Sequence, residues 1–180
     1  RMAGKLARLE QTLTEQPVDG DYGIGHTRWA THGRPNEENA HPHVDCSGRL
    51  VVVHNGIIEN YLDLKQELQH EGHQFMTETD TESIAHLVER EMREDGLAPA
   101  VRRALGSMRG MFAIALCSAD DPGTIVAARQ GPPIVVGQGQ DGSFIASDVT
   151  AVLKHTRNIV FLGDGEMAII NREGPTYTDF

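Results

Sequence analysis

In Leu50–Asn60, LVVVHNGIIEN, an apolar run of β type ends in His54, Asn55 and Gly56. A strand buried in a sheet delivers its last residues rigidly, and a glycine leaves a backbone N–H open where a side chain would block approach. An Asn side-chain amide beside a Gly N–H is a donor pair of the kind that stabilises a developing oxyanion. Asn-Gly between two apolar runs is also a strong signal for a type I′ hairpin turn, and the stretch alone favours the turn. Arg28, flanked by Thr27, Trp29, Thr31 and His32, has a planar guanidinium that can grip a carboxylate at two points or make a surface ion pair. Asp80, between Thr79 and Thr81 at a predicted helix start, is by default a helix cap and alternatively a carboxylate that receives an ammonium group. Arg28 and Asp80 together could clamp the zwitterionic end of an amino acid, with Asn55 and Gly56 at its far carbonyl. An amide hydrolase acting on glutamine needs that combination.

Other candidates are weaker. His26, His32, His41 and His43 invite a metal, but no H-E-x-x-H or paired-cysteine signature accompanies them, so no metal is expected. Gly137–Gly142 satisfies G-x-G-x-x-G in form only, because an apolar strand rather than a helix follows it. Cys46 lies in a polar turn and Cys117 ends an apolar run, which makes no disulfide framework and favours a reducing compartment.

The elements that must position these residues are legible from periodicity. Helices are predicted over 2–13, 60–70, 81–94 and 97–105, with Asn60 as an N-cap, Gly72 just past a helix end and Pro99 in a first turn. Tyr22–Thr27 reads as a short strand, and 34–48 as loop throughout. The helix that starts at Asn60 weakens the hairpin reading of Asn55-Gly56, since a hairpin needs a second strand long enough to pair back. From Met111 onward, FAIALC, TIVAA, PIVVG, SFIAS, NIVFL and MAII are strands, with Asp141-Gly142 and Asp164-Gly165 at expected hairpin turns. Helices first and a strand meander second give an α+β class.

A chain of 180 residues with 39% hydrophobic residues suits one domain with a core. Its formal charge of -10, without a Lys/Arg-rich run, argues against nucleic-acid and anionic-membrane surfaces, and there is no signal peptide or transmembrane run. A cytoplasmic location is expected. The start at Arg1, already in a helical pattern, suggests a fragment.

GHTRWATHG (Gly25–Gly33), NAHPH (Asn39–His43), VVVHNGIIEN (Val51–Asn60) and ETDTE (Glu78–Glu82) resemble, in order and approximate spacing, the glutaminase domain of the glutamine:fructose-6-phosphate aminotransferases. These are class II glutamine amidotransferases of the N-terminal-nucleophile hydrolase kind. AARQGPPIVVG (Ala127–Gly137) and FIASD (Phe144–Asp148) extend the resemblance over nearly the whole chain. It implies a four-layer αββα sandwich, lacking its opening strands in this chain. It also implies an enzyme in which an N-terminal Cys thiolate attacks the glutamine side-chain amide, with its own α-amino group as base. An oxyanion forms, ammonia leaves for glucosamine 6-phosphate synthesis, and water releases glutamate. By position, Asn55 and the Gly56 N–H would form the oxyanion hole, Arg28 would hold the α-carboxylate and Asp80 the α-ammonium. Thr31 and His32 would line the glutamine pocket, and Trp29 would lie near the ammonia exit. The implied ligand is L-glutamine, with no cofactor. The implied parent is a homodimer whose sugar-phosphate isomerase domain lies outside residues 1–180, a partial glutaminase domain. Cys46 and Cys117 are internal, have no free α-amine and cannot replace the N-terminal Cys. The chain as written is therefore expected to be inactive. The alternatives are a non-catalytic glutamine-binding module of the same fold and the glutaminase domain of a related amidotransferase.

Overall fold

Strand β3 (Gly110–Ser118) divides the interior, because its side chains alternate between two different partners. Phe112, Ile114 and Leu116 point into a core shared with helices, whereas Ala113 and Ala115 face a second sheet. The structure, a computed structural model, describes residues 1–2, 4–28, 34 and 36–180. Within them β3 sits in a six-stranded sheet of order β1-β2-β3-β4-β8-β9, formed by His43–Val44, Leu50–Ile58, Gly110–Ser118, Asp121–Gln130, Glu166–Asn171 and Gly174–Asp179. Every pairing in it is antiparallel. A three-stranded sheet of order β6-β5-β7 holds Ser143–Ala146, Val135–Gln138 and Ile159–Phe161.

The helices α2 (Tyr61–His70), α3 (Thr81–Glu91) and α4 (Leu97–Leu105) cover one face of the larger sheet. Leu64, Leu68, Ile84, Leu87, Val88, Leu97 and Val101 pack there against Val52, Ile58, Ile114 and Leu116. Between the sheets the core is thinner: Ala113, Ala127, Ala168 and Ile170 of the larger sheet meet Ile134, Val136 and Leu162. The small residues leave a cavity of about 600 Å³ between the sheets, lined by Ala113, Ala115 and Ile125 on one side and by Ile134, Phe144 and Ile145 on the other. Three layers, helix on sheet on sheet, are thus packed in the described residues. Helix α1 (Leu6–Glu15) has the expected apolar stripe but buries none of its residues.

Several expectations need correction. Residues 34–48 are not loop throughout, because His43–Val44 pairs with Val51–Val52, closed by Asp45, whose Oδ1 accepts from the Arg49 and Leu50 N–H groups. Residues Tyr22–Thr27 form no strand. Asp164-Gly165 joins β7 of one sheet to β8 of the other, so it is a crossing between sheets, while Asp141-Gly142 is a hairpin turn as expected. Helix α3 ends at Glu91 rather than residue 94. Asn60 stands at the N-cap of α2, but its side chain bonds elsewhere: Nδ2 donates to Ser107 O and Oδ1 accepts from Arg109 N. Strand β9 had no signal, because Gly-Pro-Thr-Tyr-Thr-Asp is a polar edge strand without an apolar run.

Candidate active site

Strand β2 does not stop at His54. It runs on to Ile58, and Asn55 and Gly56 pair with Ala113 and Phe112 of β3. The pair is therefore neither a hairpin turn nor a strand terminus but the last third of a fully paired strand. Gly56 permits this. Its φ is +124°, and a Cβ there would lie 2.1 Å from the Met111 carbonyl oxygen. Gly110, facing from β3, shows the same closeness: its Cβ would lie 2.3 Å from the Ile57 carbonyl oxygen. Two glycines let β2 and β3 approach where any side chain would collide with backbone.

Asp80 opens α3 but does not cap it. Its Oδ2 accepts the Ile58 N–H at 2.9 Å, which fastens the start of α3 to the end of β2. The default cap reading thus fails for a physical reason: the carboxylate, 4% exposed, is committed to the strand instead of the first helical turn. His54 Nδ1 lies 3.0 Å from Thr81 Oγ1 and 4.0 Å from Asp80 Oδ2, adding a second strand-to-helix tie.

These ties leave a cavity of about 310 Å³, lined by Arg28, Asn55, Gly56 and Asp80 together with His26, Thr27, His41, His54, Thr79 and Thr81. Four residues singled out in the sequence for one zwitterionic amide thus share one wall. Trp29, Thr31 and His32 lie outside the described residues.

His26 and His54 had no assigned role, and His26 turns out to orient Asn55. Its Nε2 is 2.8 Å from Asn55 Oδ1. An amide oxygen only accepts, so His26 carries its proton on Nε2, and the Asn55 NH2 becomes the end left to the cavity. Burial pushes the His26 imidazole below its usual range, against the pull of the Asn55 bond, which favours this neutral tautomer. The His41 ring lies tilted against His26 with centroids 4.1 Å apart, and burial, with His26 next in weight, holds it at about 2. His43, pushed by burial to about 4, meets Thr79 Oγ1 through Nε2 at 3.2 Å. His26, His41 and His43 thus form a run of imidazoles in ring contact beside Asn55. The alternation of polar residues along His54-Asn55-Gly56 was the available signal for His54; nothing local pointed from His26 to Asn55, 29 residues away.

Residues 26–154 match the family described as the glutamine amidotransferase domain. The chain belongs to that family. Among curated proteins, this amidotransferase domain is 52% identical over 170 residues to a glutamine--fructose-6-phosphate aminotransferase [isomerizing] of Methanothermobacter thermautotrophicus, covering 94% of the chain and 29% of that protein. It is 49% identical over 179 residues to the protein of the same description from Thermus thermophilus, covering 99% of the chain and again 29% of the relative. The chain thus spans less than a third of the length of these relatives. Among solved structures, the glutamine phosphoribosylpyrophosphate amidotransferase from B. subtilis, complexed with ADP and GMP, superposes with a TM-score of 0.71. Its sequence identity is 29%, over 86% of this chain and 34% of that one. The α+β architecture of stacked antiparallel sheets is that of the glutamine amidotransferases. No described helix is long and apolar enough to cross a membrane.

Proposed function

We propose that this chain is the glutamine-hydrolysing domain of a glutamine:fructose-6-phosphate aminotransferase, releasing ammonia from L-glutamine for glucosamine 6-phosphate synthesis. The observation that supports it most is the convergence of Arg28, Asp80, Asn55 and Gly56 on one cavity. In this reading Arg28 grips the α-carboxylate of glutamine and Asp80 receives its α-ammonium. The side-chain carbonyl then lies between the Asn55 NH2 and the Gly56 N–H, which stabilise the oxyanion as it forms. Trp29, Thr31 and His32 are assigned to the pocket and the ammonia exit by the family resemblance alone. Neither Cys46 nor Cys117 lines the cavity. The thiolate is therefore assigned to an N-terminal Cys of the complete polypeptide, and the acceptor of the released ammonia to a sugar-phosphate isomerase domain of the same cytoplasmic, homodimeric protein.

That absence of a cysteine at the cavity also favours a second reading, a glutamine-binding module without catalysis. Glutamate release by the complete polypeptide, measured beside glutamine binding by calorimetry, separates the two. Turnover that Asn55→Ala abolishes while binding persists supports the first; binding without turnover supports the second; unchanged turnover in Asn55→Ala removes the oxyanion role.

A further inference from the structure

A second polar cluster lies farther along α3, outside the cavity lining. Cys46 comes from the turn between β1 and β2, His73 follows α2, and His86 and Glu89 share one face of α3. The sequence holds no zinc signature here, since the four residues come from three separate segments. Local structure aims each of them. Gly72 adopts φ +102° just past α2, and the His73 N–H then returns to Leu68 O at 2.9 Å, turning the ring inward. The Cys46 N–H donates to Glu89 Oε2 at 3.2 Å, which ties the turn to the helix.

One donor atom from each residue meets the others. Cys46 Sγ is 3.6 Å from His73 Nδ1 and 3.5 Å from His86 Nδ1. Glu89 Oε2 is 2.9 Å from His73 Nδ1 and 3.2 Å from His86 Nδ1, and all four atoms lie within 4.8 Å of one another. Zinc bonds of about 2.3 Å to sulfur and about 2.0–2.1 Å to nitrogen set the edges of a tetrahedral site, with S···N edges of about 3.5 Å and N···O edges of about 3.3 Å. The sulfur edges match, and the oxygen edges fall slightly inside, as expected where a carboxylate hydrogen-bonds the imidazoles until a cation separates them.

The surroundings also suit a cation. Burial of His86 is nearly complete, at 1% exposure, and its Nε2 has Glu82 Oε1 3.6 Å behind it, the carboxylate–histidine order that orients a metal-bound imidazole. Glu82 is itself fixed by the Met76 and Thr77 N–H groups, both at 2.7 Å. The Gln74 N–H points at Cys46 Sγ from 3.5 Å; burial and the Glu89 carboxylate push the thiol up, so it is the cation itself that would draw off the proton. Cys46 is exposed and gives the ion a way in.

We propose that Cys46, His73, His86 and Glu89 form a structural site for a zinc ion. One thiolate, two imidazoles and one carboxylate suit Zn²⁺ better than Mg²⁺ or Ca²⁺, and four protein ligands leave no position for a substrate. On binding, the Cys46 thiol gives its proton to solvent, His73 and His86 free Nδ1 by carrying their proton on Nε2 instead, and the metal replaces the hydrogen bonds between Glu89 and the two rings. The site clasps the β1–β2 turn, the end of α2 and the middle of α3 into one unit.

The test uses the complete polypeptide, treated with Zn²⁺ and desalted, then with Co²⁺ as a spectroscopic probe. One zinc per chain is expected by elemental analysis, and the cobalt form should show tetrahedral d–d bands with a thiolate charge-transfer band. Cys46→Ser replaces an exposed side chain, so the fold is kept. It should remove the charge-transfer band and weaken zinc at least about tenfold, since even outer-shell partners cost that much. Cys117→Ser should change neither. Loss of zinc on desalting, a charge-transfer band that survives Cys46→Ser, or one that disappears in Cys117→Ser would each overturn the assignment.

Discussion

Helix α3 has a polar cluster at its first turn and another two turns later, and the two are built on opposite principles. At the first turn, Asp80 and Thr81 face a cavity whose other polar groups, Arg28 and Asn55, stand on different segments with space between them. Farther along, the donor atoms of Cys46, His73, His86 and Glu89 touch one another. Groups held apart by the protein fit a ligand with length and two charged ends. Groups brought to a single point fit an object with no length at all. The same helix backbone serves both because its N-terminus is tied to β2 through Asp80 and Ile58, while its middle is tied to the β1–β2 turn through Glu89 and Cys46.

The sharpest way to break this contrast is at Asn55. Asn55→Ala is expected to lower glutamine turnover by about 10²–10³-fold, the usual cost of an oxyanion donor, with the cobalt spectrum of the second cluster unchanged. If both readouts move together, the clusters are one site and the comparison fails. Arg28→Gln and Asp80→Asn should each raise KM for glutamine by roughly tenfold to a hundredfold, with a smaller change in kcat, because each removes a charged hydrogen bond to the non-reacting end. Steady-state kinetics showing the reverse split would move these residues to the chemical step. Gly56→Ala should cost about 2 kcal/mol or more in urea unfolding, since its Cβ meets the Met111 carbonyl and its φ of +124° disfavours any side chain. An unchanged midpoint would show that β2 and β3 can separate there.

The smallest effect is on pH. His41 and His43 are held by burial at about 2 and about 4, against 6.5 for a free imidazole. Unfolded, both take a proton as pH falls through 6.5; folded, they resist it. Their contribution to stability is complete above pH 6.5 and is lost as pH falls below it, for His43 down to about 4 and for His41 on towards about 2. His26, His43, His54 and Arg28 face His41 and reinforce its neutrality, whereas Glu82 and Asp80 pull His43 the other way. The unfolding midpoint should therefore decline over that window, and less steeply in His41→Gln. An equal decline in the variant would place the effect elsewhere.

What could be read beforehand follows from the range of each signal. Helices α2, α3 and α4 and the strands from β3 to β8 announce themselves by local periodicity. The cavity residues were legible because Arg28, Asn55, Gly56 and Asp80 are chemically odd in their settings. Nothing local decides against the default reading of Asp80 as a cap, because its bond to the strand depends on Ile58, 22 residues earlier. Strand β2 was cut short at His54 because Asn55-Gly56 looks like a turn until β3 is there to pair with it. The Cys46–His73–His86–Glu89 cluster was invisible for the same reason: its spacings of 27 and 40 residues from Cys46 match no motif, and only the fold closes them.

The Asp80–Ile58 bond has one more consequence. It ties the carboxylate that would read an amino acid's ammonium to the strand that carries Asn55 and Gly56, two to three residues before Ile58, and so helps set the span between them. On the glutamine reading this makes the cavity a ruler. Asparagine, one methylene shorter, could satisfy either end of the scale but not both, and selection of substrate would rest on a length that one hydrogen bond in the scaffold helps set.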